Sequence, residues 1–116
     1  MSYEFPKSEK KLARQVIEMG LQRDFQKSIL DLDRIIRQWR SKKLDNRDTY
    51  HQLYRSLKES DKYIARMYDD QRGSTYMITI QALLRNKVIS ETDLSEFPEK
   101  TKNDILGIRK ILGDGL

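Results

Sequence analysis

DNRDTYHQLYRSLKESDKYIARMYDD, residues 45–70, is the longest segment of the chain with an unbroken helical period. With Leu57 at the centre of one face, Tyr50, Leu53, Tyr54, Ile64, Met67 and Tyr68 fall within about a third of a turn of it at ~100° per residue. Arg55, Glu59, Lys62 and Arg66 fall on the far side. Asp45 is placed to accept the free amide protons of the first turn, and Asp48 adds negative charge near the positive end of the helix dipole. Gly73 follows as a stop. A helix of about seven turns with a tyrosine-rich stripe is the element onto which the others must pack.

Working back toward the N-terminus, Leu21, Phe25, Leu32, Ile36 and Trp39 align on a second long helix, from about 21 to 42, flanked by Ile29 and Ile35. The joint at Ser41–Leu44 is short, which favours an antiparallel pair. The Phe25–Trp39 stripe is then expected to face the Tyr50–Tyr68 stripe. Before Gly20, Leu12, Val16 and Met19 share a face nearly half a turn out of phase with that stripe. A break near Gly20 explains this best, and a continuous helix burying opposite faces at its two ends is the alternative.

Beyond Gly73, residues 75–86 form a fourth helix burying Tyr76, Met77, Ile80, Leu83 and Leu84, although Thr75–Ile80 is also good strand sequence. Ser90 with Asp93 makes an acidic variant of the capping box, and Ile89 and Leu94 are spaced as a hydrophobic staple. A short helix follows, ended by Phe97-Pro98. A last helix from about Glu99 to Leu112 buries Ile105, Ile108, Ile111 and Leu112. The expected fold is all-α: a compact bundle of five or six helices built on the long antiparallel pair (about 21–42 and 45–70), with shorter C-terminal helices. It forms one domain over 1–116, with 1–7 and 113–116 as loose termini.

The totals agree with that class. The chain of 116 residues is 37% hydrophobic and 35% charged, which suits helices with one buried stripe and wide solvated faces. Five glycines and two prolines are too few for a loop-rich or all-β chain. The absence of cysteine excludes disulfides, thiol catalysis and cysteine-ligated zinc, and fits a reducing compartment. No apolar run reaches the ~18 residues of a membrane span, and a cytoplasmic location is expected. The net charge of +5 is concentrated in residues 1–60, which hold 14 Lys and Arg against 9 Asp and Glu.

Asp61 is the most informative polar residue, since it lies on the apolar face of residues 45–70, one heptad from Tyr54 and from Tyr68. A lone buried carboxylate is costly, so a partner is expected. A buried tether fixing helix register is the leading reading. A wet edge comes next, and a ligand pocket of Asp61 with Tyr50, Tyr54 and Tyr68 comes last. Arg23, Lys27, Arg34 and Arg37 line the side of residues 21–42 opposite the apolar stripe, and Arg40 continues the charge into the joint. This ridge reads first as a solvated face, partly neutralised by the i,i+4 pairs Lys27/Asp31 and Asp33/Arg37. Phosphate or an acidic protein surface is the sharper reading.

His51 stands alone, and Asp31/Asp33 point ~200° apart on a helix, so no metal site or cofactor is expected. No phosphate loop or catalytic motif is present. The expectation is a non-enzymatic helical protein–protein interaction or structural module, able to self-associate. A protein partner or second copy ranks above nucleic acid bound on the basic ridge.

Overall fold

The structure, a computed structural model, describes residues 3–114, and the side chains as far as residue 107. Every regular element among them is helical: α1 (Lys10–Arg40), α2 (Asn46–Tyr68), α3 (Tyr76–Arg85) and α4 (Glu99–Asp114), with 3₁₀ turns at Lys7–Glu9, Gly73–Thr75 and Glu91–Leu94. The protein is all-α, with four α-helices where the sequence suggested five or six. Residues 75–80, which had competing strand character, enter α3 from Tyr76.

The difference in number arises at Gly20, which lies inside one continuous helix of 31 residues, and after Ser90, where a 3₁₀ turn stands in place of the expected short helix. A glycine costs only about 1 kcal/mol relative to alanine in a helix, whereas ending one helix and nucleating another costs more. The apparent change of phase also has a simple origin. Ala13, Val16, Ile17, Gly20, Asp24 and Ser28 are all buried, and their spacing keeps them on one unbroken face. The buried face does not rotate; the apolar residues leave it.

The chain forms two compact units, Met1–Gly20 with Asp70–Leu116, and Leu21–Asp69. The first contains a conventional core, in which Phe5, Ile80, Leu83, Leu94 and Ile105 are fully enclosed. Residues 3–6 were expected to be loose. Instead Phe5 stacks on Phe97 with ring centroids 5.7 Å apart and meets the edge of Tyr3 at 5.1 Å. The Tyr3 hydroxyl donates to Asp104 at 3.2 Å, and the Thr101 hydroxyl donates to the buried Glu9. Ser90 N–H donates to Asp93 at 2.9 Å, so the predicted capping box forms, with Ile89 and Leu94 buried beside it. It opens a single 3₁₀ turn. Ile108, Ile111 and Leu112, assigned to the core by sequence, lie outside the described side chains, and residues 115–116 lie outside the described chain.

The second unit holds the remainder of α1 and all of α2. Asp45 caps α2 as expected, accepting from Asp48 N–H at 2.7 Å. α1 ends at Arg40, close to the expected end at about 42. Lys42 N–H bonds to Trp39 C=O at 3.0 Å and Lys43 N–H to Gln38 C=O at 2.8 Å, with Lys42 at φ 64°. This is a Schellman termination with lysine where glycine is usual. α3 ends the same way. Lys87, at φ 60°, bonds to Leu84, and Val88 bonds to Leu83.

Candidate functional site

In the second unit the enclosed residues of α1 lie off its most apolar line, and on α2 one enclosed residue lies off that line and one on it. On α1 the enclosed residues are Asp24 and Ser28, and on α2 they are Thr49 and Tyr68. Tyr68 Oη donates to Asp24 Oδ2 at 2.5 Å, and the Thr49 hydroxyl donates to Asp45 C=O at 2.7 Å. Every buried side-chain nitrogen and oxygen among the described residues has a partner, which makes a polar packing layer tenable. Burial, and then the neighbouring Asp24 carboxylate, push the Tyr68 phenol well above its ordinary value of 10.0. The same causes, with Asp104 as the acid, raise Tyr3.

The expected face-to-face contact of the two apolar stripes is therefore corrected. Phe25, Ile29 and Trp39 on α1, and Tyr50, Tyr54 and Leu57 on α2, are exposed, with between 42% and 69% of each residue open. Leu32 and Ile36, which lie on the open line of α1, and Leu53 and Ile64 on α2 are half-buried. At ~100° per residue, the open apolar residues lie about a quarter-turn ahead of Asp24 and Ser28 on α1 and about a quarter to a third of a turn ahead of Thr49 on α2, in the same rotational sense, while Tyr68 continues the Tyr50–Leu57 line to its enclosed end.

Asp61 is exposed, on this open line and not enclosed beneath it. The buried tether exists, but its acid is Asp24, with Tyr68 as the partner. Tyr50 and Tyr54 are exposed, and Lys58 Nζ lies 5.9 Å from the Tyr54 ring centroid. The four residues proposed as a pocket thus divide into three open side chains and one enclosed one. Asp24 could have been found from spacing, because it continues the line Ala13, Ile17, Gly20. Its charge argued against burial and hid it.

Arg23, Lys27, Arg34, Arg37 and Arg40 are all exposed, as a solvated ridge requires. Arg37 pairs with Asp33 at 2.6 Å, the predicted i,i+4 pair, while Asp31 pairs with Arg34 at 3.2 Å. At the joint, an open cleft is lined by Trp39, Arg40, Lys42, Leu44, Asp45 and Asn46. Trp39 Nε1 donates to Asn46 Oδ1 at 2.7 Å, fixing the indole with part of its face open. A separate cavity of about 90 Å³ in the first unit is lined by Leu12, Gln15, Val16, Met19, Asp93, Glu96 and Phe97. Among the described residues, no cluster of three or more His, Asp or Glu could hold a metal ion, and no helix is long and apolar enough to cross a membrane.

Comparison with known proteins adds no constraint: no family model, curated protein or solved structure matches this chain.

Proposed function

We propose that this protein is a non-catalytic, cytoplasmic helical interaction module, and that the open apolar face of residues 21–69 is its contact surface. The reading treats α1 and α2 as an antiparallel pair. It is supported by the bond between residues 24 and 68 at one end and the bond between residues 39 and 46 beside the joint. In an antiparallel pair, similar displacements of the same rotational sense bring both open lines to one side. Phe25, Ile29 and Trp39 then share a surface with Tyr50, Tyr54 and Leu57. The observation that carries the reading is their exposure while Asp24 and Ser28 are enclosed. At roughly 200 Å² for a large side chain, the six leave about 650 Å² open, more than the largest patch of most soluble monomers.

The test is photocrosslinking in the cell with a benzophenone amino acid at position 57 or at position 34. Protein adducts from position 57 and none from position 34 are expected. Adducts confined to position 34, or no protein adduct from position 57, overturn the reading.

The second reading is nucleic-acid binding, favoured by the fixed, open indole of Trp39 beside Arg40 and Lys42. The carboxylates on Arg34 and Arg37 weaken it. Oligonucleotide titrations at low and physiological salt separate the two, because phosphate contacts weaken steeply with salt. No binding tighter than roughly micromolar at physiological salt is expected.

A further inference from the structure

We infer that the occupant of this apolar face is a second copy of the same chain, seated face to face so that four long helices enclose the two stripes; the inference rests on the face assigned above. Two observations select a copy over another partner. The first is area. The open side chains offer about 650 Å² per chain, and the half-buried Leu32, Ile36, Leu53 and Ile64 beside them bring the face close to the ~800 Å² per partner of a standard stable interface. An interface that joins a surface to itself doubles each contribution, because every residue is used twice.

The second is charge. Arg23, Lys27, Arg34 and Arg37 lie about half a turn from the Phe25–Leu32 line on α1, and Arg55, Lys62 and Arg66 lie on the far side of α2 from Leu57. Two copies of this basic chain therefore meet with these two ridges directed outward, and Lys58, 5.9 Å from the Tyr54 ring, is a cation at the margin of the face. An acidic partner would find most of its attraction on the opposite side. Within the face, Asp61 is the one carboxylate that pairing would bring under cover. It loses solvation on association, so it limits the affinity.

The experiment is sedimentation equilibrium of the whole chain from 1 to several hundred micromolar, a range chosen on the order of the affinities such areas give. A reversible monomer–dimer equilibrium is expected. Leu57→Arg, placed twice in the interface, should weaken it by roughly a hundredfold. Asp61→Leu should tighten it by about tenfold. Arg34→Glu, on the ridge, should leave it unchanged. Circular dichroism of each variant establishes that the helices are retained, which the exposure of these positions favours.

A strict monomer across the range overturns the inference, as does a dimer insensitive to Leu57→Arg and Asp61→Leu or one broken by Arg34→Glu. These failures are separable from failure of the interaction reading. A monomer whose position 57 crosslinks to a different protein in the cell removes the second copy but retains the contact face. Absence of any protein adduct there removes both.

Discussion

Tyr68→Phe removes one hydroxyl from the packing layer of the second unit and leaves the ring in place. The group lost is the donor to Asp24 Oδ2 at 2.5 Å, and Asp24 is only 8% exposed. A hydrogen bond to a charged group contributes about 1.5–3 kcal/mol, and the stranded carboxylate adds a desolvation penalty, so destabilisation of about 2–3 kcal/mol is expected. For a denaturant slope of ~1–3 kcal/mol per molar, the urea midpoint falls by about 0.7–3 M. Trp39, the single tryptophan, belongs to the same unit, so its fluorescence follows the relevant transition. Adding Asp24→Leu should recover at least ~1 kcal/mol, since removing both partners costs less than removing one.

The same bond sets a pH dependence. The folded Tyr68 phenol is raised above its ordinary value. The folded state therefore keeps a proton that the unfolded state gives up as pH passes about 10, and stability falls from there upward. Below that pH the contribution is complete, and Tyr68→Phe should flatten the alkaline loss. A loss under ~0.5 kcal/mol in Tyr68→Phe, with no coupling to Asp24, would refute the assignment of this pair as the tether.

Three further outcomes are expected. Lys42→Gly and Lys87→Gly should each stabilise by about 0.5–1 kcal/mol in thermal or urea melts, because each lysine occupies a left-handed position that glycine adopts without strain. Phe5→Ala should cost about 3–5 kcal/mol, as deletion of an enclosed aromatic does, although it lies in the first few residues. Ile29→Ala should change the stability of the dilute protein by less than ~0.5 kcal/mol, since the side chain is 63% exposed.

What was legible in the sequence was local chemistry. Asp45 and Ser90 mark helix starts because short polar side chains satisfy free amides, and both capping geometries are present. The ends of α1 and α3 fall within two residues of the expected ones, although their left-handed positions hold Lys42 and Lys87, where glycine is usual. The larger miss concerns faces. A hydrophobic stripe shows which surface is costly to leave in water. It does not show whether the covering comes from the chain's own neighbouring helix. On α1, residues 24 and 28 lie on the same face as 13, 17 and 20, so the helix buries an acid and a serine. Asp61 reads as the tether because it interrupts the apolar line, and that line is largely the open one. The small size of Ser28 and Thr49 was the available clue, since small residues let helix backbones approach.

The contact face depends on which of two adjacent residues on α1 is packed, Ser28 or Ile29, and a thiol probe can ask this directly because the chain has no cysteine of its own. Ser28→Cys and Ile29→Cys are labelled separately with a maleimide, at a concentration low enough to keep copies apart. Position 29 is expected to react at close to the rate of an unfolded peptide and position 28 at least about tenfold more slowly, as its enclosure requires. Slow reaction at 29 with fast reaction at 28 would put the apolar stripe inside the helix pair and remove the contact face.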